Sequence, residues 1–143
     1  LKTLLNLLGI LSFVLLFACG EKAPEKAVIN PDELGIGPIN TELKMDPINP
    51  ALAEKGKAIF DSKCAACHKY DTRYVGPALK GITTRRRPEF IMNMILNPIE
   101  MTQKNPFAKE LLGQFMTQMT NQNITQEDAR AILENFRNFD SQK

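Results

Sequence analysis

From Leu4 to Ala18 nearly every position is apolar, interrupted only by Asn6, Gly9 and Ser12. A run of this length is short of the roughly 20 residues that span a bilayer. It fits the apolar core of an export signal, with Lys2 as a minimal basic start. From Glu21 to Asn49 no period persists, and Pro24, Pro31, Pro38, Pro47, Gly35 and Gly37 punctuate the stretch. This predicts a tether; the alternative is an ordered arm around Ile36–Ile39 and Leu43–Met45 that wraps a domain. A helical rhythm then begins. Asn49 suits an N-cap and Pro50 the first helical position, and Leu52, Gly56, Ile59, Phe60 and Lys63 follow at spacings of three and four. Pro88 opens a second helix through Phe90–Leu96, apolar on most sides and closed by Asn97-Pro98. Asn105-Pro106 repeats the cap-then-proline signal, and Phe107, Leu111, Leu112 and Phe115 give a third helix ending near Gly113 or slightly later. In the last helix Thr125 is the N-cap and Glu127 and Asp128 favour the dipole. Ala129, Ile132, Leu133 and Phe136 form its buried stripe, Ile124 can staple against Ala129, and Phe139 ends the apolar face. The expectation is an all-α domain.

With 143 residues, one domain is the prior. The net charge of +2 falls to about +1 once a leader containing Lys2 is removed. No basic excess points to nucleic acid, so no nucleic-acid partner is expected.

The chemistry lies in Cys64-Ala65-Ala66-Cys67-His68. Cys-x-x-Cys-His is the attachment signature of a c-type haem. Two thiols on one turn can each form a thioether to a vinyl group of one porphyrin, and the next residue carries an imidazole to the iron. A redox dithiol would want a βαβ setting, whereas the residues upstream read as helix. A structural zinc site needs four ligands, usually two separated pairs. This chain has three cysteines and one histidine, and the third cysteine has another use. The lone histidine also excludes bis-histidine ligation within the chain.

The third cysteine closes the apolar leader, in Leu16-Phe17-Ala18-Cys19-Gly20. This resembles a bacterial lipobox, although Phe17 stands where that pattern usually has a smaller residue. The resemblance implies a signal peptide over 1–18, a lipidated Cys19 opening a Pro-rich tether over 19–48, and a folded domain over 49–143. An ordinary cleaved signal and an uncleaved anchor are the alternatives. The protein would then be an exported lipoprotein, membrane-anchored and facing the periplasm. Export agrees with the haem motif, whose attachment in families resembling this one occurs on the exported side.

An iron-bound imidazole needs an acceptor for its other N–H. Pro77, in Gly76-Pro77-Ala78-Leu79, keeps a carbonyl in a rigid turn and is the candidate. Leu79 and Ile82 are candidates for packing on the porphyrin edge. Arg85-Arg86-Arg87 is the only cationic run, open to pairing with haem propionates, to docking an acidic partner, or to plain solvation. For the sixth ligand methionine leads, since thioether ligation raises the potential. Of Met45, Met92, Met94, Met101, Met116 and Met119, most must be core fillers. Met92 and Met94 read as core and Met101 as part of a polar connection. Met116 and Met119, 48 and 51 residues after His68, precede the last helix and remain open on the residues alone.

Gly56 and Phe60 ahead of the haem motif, the Gly76-Pro77-x-Leu79 turn, a late Met and a capped final helix together resemble a class I monohaem cytochrome c over about residues 50–139. The resemblance implies a small cytochrome c-like bundle of three to five helices around one covalently bound haem c. It implies a crossing of first and last helices at Gly56, Phe60 and Phe136. It also implies Pro77 as acceptor for His68, and Met119 rather than Met116 as distal ligand, although Thr120 stands where the family commonly has proline. Iron would be held by His68 and Met119, and the porphyrin by Cys64 and Cys67, with Leu79 against it. The implied function is electron transfer, not enzymatic catalysis, between a membrane quinol-oxidising complex and an exported terminal reductase or oxidase. A haem gas sensor or small peroxidase-like enzyme with an open sixth site is the alternative.

Overall fold

A computed structural model describes residues 34–142. Lys2, the apolar leader and Cys19, where the sequence predicts an export signal and a lipidation site, lie outside these residues. Six helices make up the described chain: α1 (Pro50–Lys63), α2 (Ile82–Arg85), α3 (Pro88–Leu96), α4 (Pro98–Lys104), α5 (Pro106–Phe115) and α6 (Gln126–Ser141). No strand occurs among the described residues, as the apolar rhythm implies. Two short helices join the four that the pattern predicts, and both have local causes. Gly81, at φ +72°, turns the chain into α2. The Asp140 carboxylate then caps α2 from another helix, accepting the Gly81 N–H at 2.6 Å and the Thr83 N–H at 3.1 Å. Pro98 sits in the first turn of α4, where its missing N–H costs nothing.

The predicted caps are in place. Asn49 Oδ1 accepts the Leu52 N–H, Asn105 Oδ1 the Ala108 N–H, and Thr125 Oγ1 the Asp128 N–H. α1 crosses α6 with no side chain between them at Gly56, where a β-carbon would lie 1.9 Å from the Ala131 carbonyl oxygen. Phe60 meets Phe136 beside this crossing, ring centroids 5.7 Å apart and edge to face. Ile132 and Leu133 complete the buried stripe of α6, and Ile91, Met92 and Ile95 of α3 close the core against it.

Met101 corrects the expectation that it lies in a polar connection. It is fully buried in α4 and forms a second small core with Phe90 and Ala108. Its neighbours in sequence are polar, but one helical turn points Met101 inward and Glu100 and Lys104 outward, where they pair with each other.

Residues 34–48 lie along the bundle as an ordered arm, the second of the two expectations for this stretch. Ile39 is buried in the main core. Asn93, buried in α3, accepts the Ile39 N–H at 3.0 Å and donates to the carbonyls of Leu34 and Ile39. Met101 Sδ accepts the Ile36 N–H at 2.9 Å, Glu89 the Leu43 N–H at 2.6 Å and Glu134 the Asn49 N–H at 2.7 Å. An extended arm has no ladder partner for its backbone, so buried side chains satisfy it instead. Among the described residues no buried side-chain nitrogen or oxygen lacks a partner.

Candidate functional site

The end of α1 places the motif. Cys64 is its C-cap, and the N–H groups of Cys67 and His68 both donate to the Cys64 carbonyl at 3.0 Å. The chain continues as a tight turn that sets two thiols and one imidazole side by side. The next loop folds back on this turn: Gly76 N–H donates to Cys67 O at 2.9 Å, and Leu79 N–H to Lys69 O at 3.1 Å. His68 Nδ1 thereby lies 3.3 Å from the Pro77 carbonyl, the acceptor expected from the sequence. That acceptor holds the proton on Nδ1 and leaves Nε2 as the free ligand atom. Burial pushes the imidazole pKa down, against the Pro77 bond that raises it, so the ring is held in the neutral form that binds metal. Gly76 is required at its position, since a β-carbon there would lie 2.4 Å from His68 Cε1. Burial also pushes the Cys64 thiol pKa up.

These residues face a cavity of about 450 Å³. Cys64, Cys67, His68, Pro77 and Leu79 line it from the motif side, Ile82 and Arg86 from α2 and its end, and Phe90, Ile91 and Met94 from α3. Leu111, Leu112 and Phe115 of α5 add an apolar wall, and the loop before α6 contributes Gln118 and Met119. Cys64, Cys67, His68, Pro77, Leu79 and Met119 therefore all lie on one cavity. Met116 does not line it: Met116 caps α5 with φ +51° and is 89% exposed. Met94, read as core, is half-buried and lines the cavity. The arginine run divides. Arg87 pairs with Glu42 and with the buried Glu89, whereas Arg85 and Arg86 line the cavity. The Arg86 guanidinium stacks 3.7 Å from the Phe107 ring centroid, which explains why Phe107 sits outside the core, 48% exposed.

The cavity tests the cofactor directly. Its walls are mostly apolar, two thiols and a neutral imidazole stand together on one side, and two guanidiniums line it with no carboxylate of the described residues at ion-pair distance. This set fits a flat apolar macrocycle with anionic side chains, fixed through sulfur and ligated by nitrogen. A profile of the cytochrome c family matches residues 53–136, which include every one of these residues.

The chain belongs to the cytochrome c family. Its cofactor is one covalently attached c-type haem, for which Cys64 and Cys67 are the paired thiols. A cytochrome c from Rhodothermus marinus superposes with a TM-score of 0.75 at 40% identity, over 80% of this chain and 100% of that one. Cytochrome c-551 of Stutzerimonas stutzeri is 56% identical over 39 residues, 27% of this chain and 38% of that protein. A cytochrome c-553-like protein of Synechocystis sp. is 34% identical over 59 residues, 38% of this chain and 56% of that protein. The chain thus spans about two-fifths and just over half of these two curated relatives. Sequence reasoning missed Gln118, Thr102 and Met94 as cavity residues. Only Met94 carried a signal, since it lies two positions from Met92 and so cannot share one inward helical face with it.

Proposed function

We propose that this protein is an electron carrier, with His68 and Met119 as the axial ligands of its haem. The observation that supports this reading is the cavity itself: neutral His68 on its proline-anchored turn and Met119 on a separate loop line one apolar chamber. When bound, the haem supplies a one-electron ferric–ferrous couple. The chain's own residues do the rest. The Pro77 carbonyl fixes the imidazole proton on Nδ1, and the α3 and α5 side chains exclude water. Arg85 and Arg86, with Lys63, are cations on the cavity wall available to the propionates. A thioether ligand favours the ferrous state and raises the potential.

In the same reading Cys19 is lipidated, and the protein is exported and held at the membrane facing the periplasm. It accepts electrons from a membrane quinol-oxidising complex and delivers them to an exported terminal reductase or oxidase. No substrate chemistry is asked of the protein, so it is a carrier and not an enzyme.

The test is voltammetry of the haem-matured protein, with labelled fatty acid fed to cells expressing the full chain. The expected results are a reversible one-electron wave that shifts to lower potential in Met119→Ala but not in Met116→Ala, and label lost in Cys19→Ala. A wave indifferent to Met119 would remove the ligand assignment. Rapid turnover of hydrogen peroxide by the unaltered protein would favour the small-enzyme alternative.

A further inference from the structure

The loop that carries Met119 is held in an unusual way. Among the described residues, no residue between Met116, whose N–H ends α5, and Ala129, whose N–H opens α6, donates a backbone-to-backbone hydrogen bond. Such a segment is positioned by side chains or not at all. Ile124, next to the α6 cap, packs against the main core, and one polar contact reaches inward from beside Met119. Thr102 of α4 is 4% exposed, and its hydroxyl lies 2.9 Å from Gln118 Oε1. Gln118 Nε2 in turn donates to the Met119 carbonyl at 2.9 Å. The amide can serve both ends in this orientation only. Turned over, its oxygen would face the Met119 carbonyl oxygen, and that bond would be lost. The Thr102 hydroxyl also lies 3.0 Å from Pro98 O and 2.9 Å from Ile99 O; it has one proton to donate, and the latch requires that proton on Gln118 Oε1. Both Thr102 and Gln118 line the haem cavity. A second polar tie is outward and long, from Lys63 Nζ to the Gln122 carbonyl at 3.5 Å.

We propose that Thr102 and Gln118 form a latch that positions Met119 over the haem cavity, so that an α4 hydroxyl sets how firmly the sixth ligand is held. They are positioning residues, acting through the loop and not on the cofactor. The inference rests on the assignment of Met119 as ligand. Losing one net hydrogen bond changes a local equilibrium by about three- to tenfold. The fraction of protein with Met119 released should rise by that factor in Thr102→Val, which keeps the side-chain volume, and in Gln118→Ala, which changes only an exposed loop position. The double variant should match the single ones, because the two groups act as one unit.

The experiment uses haem-matured protein and carbon monoxide as the probe. The expected result is CO association with the reduced protein about three- to tenfold faster in Thr102→Val and in Gln118→Ala, with a weakened far-red methionine band in the oxidised state and recovery in Thr102→Ser. Rates and band unchanged in either Thr102→Val or Gln118→Ala would overturn the latch. Met119→Ala measured alongside keeps the two ideas apart. If that variant retains the far-red band, the ligand assignment fails; if it loses the band while the latch variants keep it, only the latch fails.

Discussion

Replacing Gly56 by alanine tests the helix crossing that frames the haem site. A β-carbon at Gly56 would lie 1.9 Å from Ala131 O, 2.3 Å from Ala131 C and 2.8 Å from Ile132 N. All three are backbone atoms of α6, so no side chain can rotate out of the way. Ordinary van der Waals contact begins near 3.4 Å, and α1 and α6 must therefore part locally by about 1.5 Å. Parting them also loosens Phe60 against Phe136, which line the cavity. Overpacking costs about 1–3 kcal/mol where side chains can adjust, and a rigid backbone puts this site at or above the upper end. Alanine's better helix propensity returns up to about 1 kcal/mol. The net expectation is a loss of about 2 kcal/mol, or a melting temperature lower by about 10 °C. Thermal and urea unfolding of the haem-matured protein, followed by far-UV circular dichroism, measure it. Gly113→Ala is the control, since a β-carbon there meets nothing within 4 Å and the helix should gain up to about 1 kcal/mol. Should Gly56→Ala unfold at or above the temperature of the unaltered protein, the close crossing is not what this glycine provides.

Three further outcomes follow from the packing. Gly76→Ala should push the His68 ring off its Pro77 acceptor, because the new carbon would lie 2.7 Å from Nδ1; a normal oxidised and reduced spectrum would contradict this. Asn93→Ala should free the arm by breaking three hydrogen bonds, two of them buried, costing about 3 kcal/mol, read as urea unfolding at lower concentration together with fast exchange of the Ile39 amide. The Asp128 carboxyl is held below its ordinary range by its hydrogen bonds to Lys55 first and to Thr125 second. A carboxyl depressed in the fold stabilises above its ordinary range, and that contribution is lost as pH falls through the depressed value. Asp128→Asn should therefore flatten the acid limb of the stability–pH curve, measured by unfolding between about pH 5 and pH 2.

The sequence made the frame legible because capping and periodicity are local. Asn49, Asn105 and Thr125 announce three helices, and Cys64-Ala65-Ala66-Cys67-His68 announces the cofactor, without any knowledge of what packs where. What the pattern could not show depends on distant partners. α2 is four residues long and relies on Asp140, 59 positions away from Gly81. The arm has no period of its own, and it is ordered by Asn93, Glu89 and Glu134, polar residues that a hydropathy reading sends to the surface. Met101 was hidden among polar neighbours for the same reason. Gln118 and Thr102 meet only because α4 packs beside the loop, and no spacing along the chain encodes that contact. Met116 and Met119 stay open on the residues alone and only the family resemblance favours Met119; in three dimensions one lies outside the cavity and one on its wall.

The central claim is that His68 and Met119 hold the iron in both redox states. The most direct measurement is the absorption spectrum of the haem-matured protein, oxidised and reduced, with and without carbon monoxide. A low-spin spectrum in both states, a far-red methionine band that disappears in Met119→Ala, and little or no CO binding are predicted. A high-spin ferric spectrum with ready CO binding would contradict the account.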